Sequence, residues 1–144
     1  MIRFVEKEDI GQVLSMMEEV KEDFPGYQEA GFLEVLEKAI QNREVFLEEA
    51  EGELVGMISF SREEKEITFL VVRPEFRKCG IAGKLIERVK SCFRSGEELS
   101  VVTFQAGDER GIAARHCYHA SGFKDGEKLT VFEYPCQKLT VTIS

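Results

Sequence analysis

Several features that would place this chain in a special class are scarce or missing. In 144 residues it has no Trp, 3 Pro, 2 His and 4 Cys, and the cysteines (Cys79, Cys92, Cys117 and Cys136) form no Cys-x-x-Cys pair. Zinc sites and a disulfide framework are therefore weakly supported, and we expect reduced thiols and no metal. With 43% hydrophobic and 32% charged residues, the composition is that of a single globular domain over residues 1–144.

Long apolar runs are also missing. The best one, Ile67 to Val72, is far shorter than the roughly 20 residues of a membrane span, and the charged start leaves no signal-peptide core. A net charge of −8 and a pI near 4.9 oppose binding to nucleic acid or to anionic membranes. We therefore expect a cytoplasmic protein that binds neither nucleic acid nor a membrane.

The charge is distributed unevenly along the chain. Residues 1–66 carry 18 acidic and 7 basic side chains, whereas residues 67–144 carry 9 and 12. Between Arg73 and Arg94 there are 7 basic and 2 acidic residues. This segment indicates either a site for a small anionic ligand or a solvated helix face.

The spacing of apolar residues predicts a mixed α/β layer fold. The predicted strands are Ile2–Val5, Val45–Leu47, Leu54–Phe60, Ile67–Val72, Leu99–Phe104, Leu129–Phe132 and Leu139–Ile143. The predicted helices are Ile10–Val20, Glu29–Gln41, Gly80–Phe93 and Glu109–Ser121. Three consecutive strands between the second and third helices predict an antiparallel meander. Because the fourth strand lacks polar alternation, we expect it to be central and covered on both faces.

The turn between the fourth strand and the third helix is the segment best suited to bind an anion. It reads Arg-Pro-Glu-Phe-Arg-Lys-Cys-Gly-Ile-Ala-Gly-Lys over residues 73–84. Amide groups at a helix N-terminus and the positive end of the helix dipole favour an anion there. Gly80 and Gly83 allow a phosphate to approach the backbone. Charged donors accompany the glycines at Arg77, Lys78 and Lys84.

Two familiar phosphate-binding motifs do not match this turn. A Walker loop requires Gly-x-x-x-x-Gly-Lys-Ser/Thr, whereas Gly80 and Gly83 are three residues apart and Leu85 follows the lysine. The dinucleotide motif Gly-x-Gly-x-x-Gly is absent as well. Nucleotide hydrolysis and NAD binding are therefore disfavoured.

The motif that does match is Arg-x-x-Gly-x-Gly/Ala, formed by Arg77, Gly80 and Ala82. Here the chain resembles the GNAT family of N-acetyltransferases, whose pyrophosphate-binding motif has this form. A second landmark agrees, since Tyr118 stands four residues before Gly122-Phe123, as in the helix-to-strand segment of that family. The order of elements fits the family across essentially the whole chain.

The resemblance implies an acyl-CoA N-acyltransferase-like fold, with a mixed, mostly antiparallel central sheet and helices on both faces. It implies that the fourth and fifth strands splay apart and that the pantetheine of acetyl-CoA lies between them. Backbone groups of Val71 and Val72 would then contact pantetheine. The residues implied to hold the phosphates are Arg77, Lys78, Cys79, Gly80, Ile81, Ala82, Gly83 and Lys84.

The resemblance also implies candidate catalytic residues. Tyr118 is the candidate acid for the leaving thiolate, by proton transfer or by hydrogen bonding, and a core aromatic is the plain alternative. Glu66 is the candidate base, with Glu64 or water as substitutes and a solvated strand-end carboxylate as the plain alternative. Where the family often carries an Asn that contacts the cofactor, this chain has Gly111.

The sequence therefore predicts an acetyl-CoA-dependent N-acetyltransferase that acts directly on a primary amine of a small molecule or a peptide. The alternative is a non-catalytic module that binds or senses acyl-CoA. The acidic first half favours a cationic acceptor such as a polyamine, an aminoglycoside or a basic peptide terminus. The final strands also allow a homodimer through edge pairing.

Overall fold

Seven strands and four helices make up the computed structural model, which describes residues 1–77 and 80–144. The strands are β1 (Ile2–Phe4), β2 (Val45–Ala50), β3 (Glu53–Ser61), β4 (Glu66–Val72), β5 (Glu98–Phe104), β6 (Lys124–Val131) and β7 (Tyr134–Thr142). The helices are α1 (Ile10–Val20), α2 (Glu29–Asn42), α3 (Ile81–Lys90) and α4 (Ile112–Ala120). Short 3₁₀ turns occupy Lys7–Asp9, Lys21–Asp23, Pro74–Phe76 and Glu109–Gly111.

All seven strands join one sheet in the order β1-β2-β3-β4-β5-β7-β6. The first four pair antiparallel with their neighbours, as the predicted meander requires. β4 and β5 are parallel, and β5, β7 and β6 are antiparallel again. The prediction of a mixed, mostly antiparallel sheet with a central fourth strand is confirmed.

Strand alternation sends apolar side chains to two separate cores. On one face, Val13, Met17 and Leu36 of the first two helices pack with Leu47 and Met57 of the sheet. On the other face, α3 and α4 cover a second cluster. Its members include Phe46, Ile58, Leu85, Val89 and Leu99. Helices therefore lie on both faces, as expected.

The boundaries differ from the predictions at the C-terminal end. The predicted last helix is a 3₁₀ turn followed by α4. Both β6 and β7 are longer than the apolar segments predicted as strands, because pairing with a neighbour extends a strand through polar residues. β7 is interior and β6 lies at the sheet edge. Of the two final strands, only β6 offers an edge to a second subunit.

The prediction that the fourth strand is covered on both faces along its whole length is wrong. Ile67 and Val71 are buried, but Thr68 is exposed and Phe69 and Leu70 are half-buried. The reason is local: β4 leaves its partner β5 at this point, as described below. The apolar run therefore reflects a strand that lines a gap as well as a core.

Other properties of the described residues bear on the expected function classes. Within residues 1–77 and 80–144, none of the helices has the length and apolarity that crossing a membrane requires. Cys92, Cys117 and Cys136 are free thiols, and Cys79 lies outside the described residues. In the part of the chain that the structure describes, no three metal-ligating side chains converge.

Candidate active site

A gap opens between the two parallel strands at the centre of the sheet. Among the described residues, β4 and β5 pair at two positions, Glu66 with Ser100 and Ile67 with Val101. At this paired end, called the closed end of the gap, Ser100 N also donates to the carbonyl oxygen of Lys65 at 2.9 Å. Beyond these positions the strands run on without pairing. The splay implied by the family resemblance is therefore present.

A β-bulge in β4 marks the point where the gap begins. Ser59 of β3 lies opposite Phe69, but Phe60 lies opposite Ile67, so that Thr68 is the extra residue. The hydroxyls of Ser59 and Thr68 are 2.8 Å apart and hydrogen-bonded. A bulge bends its strand and changes which face each side chain occupies. β4 thus turns away from β5 immediately after its last paired residue.

Along β4, the backbone N–H and C=O groups of successive residues are directed alternately to β3 and to the gap. Arg73 N donates to Val55 O of β3 at 2.8 Å, so the polar groups of every second residue, including Val71, are directed to β3. Those of Leu70 and Val72 are directed to the gap. Arg77 Nε donates to Val72 O at 3.2 Å, in keeping with that direction.

This alternation separates two residues that the sequence analysis treated as a pair. Val72 is placed to present its N–H to a ligand in the gap, whereas Val71 is occupied with β3 and its side chain is buried under α1 and α2. Leu70, two residues before Val72, is directed to the gap as well and was not predicted from the sequence. Choosing Leu70 and Val72 requires knowing that Arg73 pairs with β3, and the sequence does not contain that information.

The N-terminus of α3 closes the open end of the gap. Gly80 occupies the N-cap with a φ of 79°, a left-handed conformation that favours glycine, and no side chain among residues 1–77 and 80–144 caps the helix. The first turn contains no acidic residue, and a Cβ built at Gly80 or Gly83 would meet nothing within 4 Å. The amides there are open to an anion.

The predicted phosphate-binding residues differ in how far their side chains are exposed. Ile81 is 7% exposed and packs in the core under α3, so only its backbone is available to a ligand. Lys84 is exposed and Ala82 is half-buried. Lys78 and Cys79 lie outside the described residues.

Several cations of the basic segment have structural partners. Arg73 donates to Leu54 O at 2.6 Å and pairs with Glu19, which ties the end of β4 to α1. The guanidinium of Arg88 lies 4.5 Å from the centre of the Phe46 ring. The excess of positive charge is therefore only partly available to an anionic ligand.

Tyr118 lies on α4, beneath the strands that border the gap. It is 4% exposed and belongs to the same core cluster as Val72 of β4 and Val101 of β5. Its ring centre is 5.5 Å from that of Phe123. Burial raises the pKa of the Tyr118 hydroxyl well above its usual range. The group is therefore a neutral hydrogen-bond donor near neutral pH.

A buried arginine holds α4 in place. Arg115, 6% exposed, donates to Phe104 O and Gln137 Oε1 at 3.1 Å each and to Asp125 Oδ2 at 2.9 Å. Since residues three apart share a helix face, this anchor fixes the face that carries Tyr118. The sequence analysis missed Arg115, although a cation on the buried side of a helix was the available signal.

Glu66 begins β4 at the closed end of the gap and is half-buried. Burial, and secondarily the charge of Glu64, raise the pKa of the Glu66 carboxyl, while Lys138 opposes the shift. Glu64, the substitute base, lies outside β4, which begins at Glu66. That residue is exposed in the β3–β4 turn, where its N–H donates to Ser61 Oγ at 3.0 Å.

The departure from the family pattern at Gly111 has a steric explanation. A Cβ added to this glycine would lie 2.7 Å from the Cβ of Phe104, closer than side chains approach one another. An Asn at this position would require a shift of β5 or of the 3₁₀ turn. No role is therefore carried over to residue 111.

Solved structures with the same fold cover nearly all of the chain. A GNAT acetyltransferase from Bacillus cereus ATCC 10987 aligns over 99% of this chain and 96% of its own, with a TM-score of 0.81 and 12% identity. Ard1 from Thermoplasma volcanium aligns over 100% and 97%, with a TM-score of 0.79 and 17% identity. A ribosomal-protein-alanine N-acetyltransferase from Brucella melitensis aligns over 99% of both chains, with a TM-score of 0.72 and 18% identity.

At these identities the likeness shows the fold alone. Among curated proteins, none matches the chain significantly in sequence. The model of the acetyltransferase (GNAT) family matches residues 13–123, which include the gap, the turn before α3 and the whole of α4. This chain therefore belongs to the GNAT family of acetyltransferases.

Proposed function

We propose that residues 1–144 form one N-acetyltransferase domain that moves the acetyl group of acetyl-CoA to a primary amine by direct transfer. The observation that carries the proposal is the gap between β4 and β5. It opens at Thr68, has at its wide end the N-terminus of α3, which no described side chain caps, and has Tyr118 in the core below the two strands. A long, thin ligand with an anionic end fits these three features together.

The residues present suit acetyl-CoA as the acyl donor. Glycines at positions 80 and 83 leave the space that a pyrophosphate needs, and no first-turn carboxylate repels it. Arg77 and Lys84 add positive charge, and the Val72 and Leu70 backbones offer strand-like hydrogen bonds to pantetheine. The bound donor supplies an activated thioester carbonyl.

The chain would contribute a hydrogen-bond donor to the leaving thiolate. The Tyr118 hydroxyl is too weak an acid, with its raised pKa, to ionise readily. In a dry site, however, a neutral donor stabilises a developing thiolate through a hydrogen bond that bulk water would weaken. We assign Tyr118 this role in the departure of the thiol.

On the other side, the acceptor nitrogen must lose a proton. Glu66 lies at the closed end of the gap, and its raised pKa brings the carboxylate nearer to the basicity of a useful general base. It would accept the proton directly or through one water. The acidic first half of the chain would favour approach of a cationic amine.

Two measurements on the full chain test this proposal. Acetyl-CoA should raise thermal stability, by about 2.7 kcal/mol at one hundred times its dissociation constant. Release of free CoA thiol should then appear with at least one primary amine in a panel. Stabilisation without turnover of any amine would favour a module that binds or senses acyl-CoA, and no stabilisation at saturation would contradict both functions. The cytoplasmic location and the homodimer stay predictions.

A further inference from the structure

We propose that the amine acceptor carries an apolar body of about the size of an aromatic ring, bound by four aromatic side chains beside the gap. This inference rests on the proposed function and specifies its acceptor. The four residues, called the aromatic cluster below, are Phe24, Tyr27, Phe32 and Phe69.

The rings of the aromatic cluster form one contiguous surface. The Phe69 ring centre lies 4.6 Å from that of Phe24 and 5.5 Å from that of Phe32, and the Tyr27 ring centre lies 5.4 Å from that of Phe32. All four side chains are half-buried rather than buried. Each ring packs on the core under α1 and α2 with one part and faces outward with another.

The position of Phe69 links this surface to the reaction. It directly follows the bulge residue Thr68, at the point where β4 leaves β5. The bulge places Ile67 in the core under α3 and α4 and Phe69 on the opposite face. Strand alternation puts Glu66 on that same opposite face, next to Ile67. An amine at Glu66 would therefore have the rings beside it.

Negative charge borders the aromatic cluster. Glu18 and Glu29 are close enough to Tyr27 for their charges to add to burial in raising the pKa of its hydroxyl, while Lys21 opposes them. A cation is attracted both by carboxylates and by the faces of aromatic rings. The same surface disfavours a carboxylate or phosphate on the acceptor.

The aromatic cluster also favours some cationic acceptors over others, which the acidic charge alone would not do. The reacting ammonium of every cationic acceptor is attracted alike, so this attraction does not choose among them. A polyamine or an aminoglycoside would also have to place further hydrated amino or hydroxyl groups against the rings, at a cost in desolvation. An arylalkylamine, or a peptide α-amine next to a large apolar first side chain, buries hydrocarbon there instead. Both kinds of acceptor combine a primary amine with a large apolar group, and this combination is what the aromatic cluster would bind.

A panel of acceptors tests this selection. Values of kcat/KM are compared for phenethylamine, ethylamine and spermidine, and for short peptides that begin with Phe or with Gly. At least one ring-bearing acceptor should exceed its ring-free counterpart by about tenfold or more. The source that shows the larger ratio identifies the kind of acceptor. Equal values across the panel, or a preference for spermidine, would overturn the inference.

Substitution links the preference to the aromatic cluster. Phe24→Leu or Phe32→Leu keeps a similar volume and an apolar surface but removes a ring, and should reduce the ring preference severalfold. Phe93→Leu is the matched control, because Phe93 is also half-buried and contacts the ring of Phe60, but in the core under α3. A preference that survives both cluster substitutions, or falls equally in the control, would overturn the assignment.

Measuring amine binding without turnover distinguishes failure of the proposed acetyltransferase activity from failure of the proposed acceptor preference. In calorimetric titrations of the complex with CoA, phenethylamine should bind at least about tenfold more tightly than ethylamine, with a negative heat-capacity change from apolar burial. If acetyl-CoA binds but no amine is acetylated, the proposed activity fails, and this titration still decides the inference. Equal affinities for the two amines would overturn it.

Discussion

Arg77 Nη2 lies 3.1 Å from Oδ2 of Asp23, and this ion pair joins the turn before α3 to the segment between α1 and α2. Both side chains are about half exposed. Arg77 belongs to the turn assigned to phosphate binding, and Asp23 directly precedes Phe24 of the aromatic cluster. The two sides of the proposed site are therefore in direct contact.

If Arg77 helps to hold phosphate, Asp23 competes with the ligand for its guanidinium. Asp23→Asn should then tighten acetyl-CoA binding. Because exposed ion pairs contribute only about 0.2–1 kcal/mol, the expected decrease in Kd is modest, by a factor of about 1.4 to 5. Equilibrium titration with acetyl-CoA measures it.

A control separates this contact from a general effect of charge. Glu22→Gln removes one negative charge from the neighbouring exposed position and should change Kd less than Asp23→Asn does. Equal effects of the two variants would show that Asp23 acts through net charge alone. Weaker binding in Asp23→Asn would contradict competition for Arg77.

Gly83→Ala should affect stability and ligand affinity in opposite directions. Alanine in place of a helical glycine stabilises by about 0.5–1 kcal/mol, and the new Cβ meets nothing within 4 Å. The same methyl group occupies space assigned to pyrophosphate, so the Kd for acetyl-CoA should rise. Denaturant unfolding and titration measure the two effects.

Gly31→Ala provides the matched control for that pair of measurements. Gly31 is the third residue of α2, as Gly83 is of α3, and a Cβ there also meets nothing within 4 Å. This variant should gain similar stability with unchanged affinity. If Gly83→Ala behaves in the same way, the pyrophosphate does not lie against α3 at this position.

Tyr118→Phe removes the hydrogen-bond donor assigned to the developing thiolate and keeps the ring that packs against Phe123. Turnover should fall by roughly 10² or more, the usual effect of removing a preorganised hydrogen-bond donor. The Kd for acetyl-CoA and the thermal midpoint should change little. Single-turnover measurements of thiol release, with acetyl-CoA bound beforehand, isolate the chemical step. An unchanged rate there would remove Tyr118 from the mechanism.

The raised pKa of Glu66 predicts how activity depends on pH. A general base works when it has lost its proton, so kcat/KM should fall as the pH decreases through this raised value. Glu64→Gln removes a negative neighbour, which lowers the pKa of Glu66 and should move the decline to lower pH. Glu66→Gln should abolish that limb of the profile.

The amine also titrates, and its contribution must be recognised. Profiles for two amines of different basicity should differ in the limb that reports the neutral amine and agree in the limb that reports Glu66. A limb that stays in place in both Glu64→Gln and Glu66→Gln would assign the proton to another group or to water.

Apolar periodicity was enough to predict the order of elements and the central place of β4. The range Gly80–Phe93 predicted for the third helix contains the whole of α3, which buries Leu85 and Val89 and exposes Lys84. These features depend on which residues are apolar and how they are spaced. The expectation of helices on both faces of the sheet came instead from the resemblance to the GNAT family.

The geometry of the gap depends on contacts that no local pattern contains. The bulge at Thr68 arises from the pairing register with β3, and it decides which face Phe69 occupies. The ion pair between Asp23 and Arg77 joins residues 54 positions apart. Tertiary packing sets such relationships, and for that reason the aromatic cluster emerged only from the folded chain.

The most direct test of the account counts both products of one reaction. The full chain is incubated with acetyl-CoA and a ring-bearing primary amine, and free CoA thiol and N-acetylated amine are quantified together by mass spectrometry. Direct transfer should give one acetylated amine for each thiol released, at a rate that Tyr118→Phe lowers strongly. Thiol release without an acetylated amine, or tight acetyl-CoA binding without either product across the panel, would contradict it.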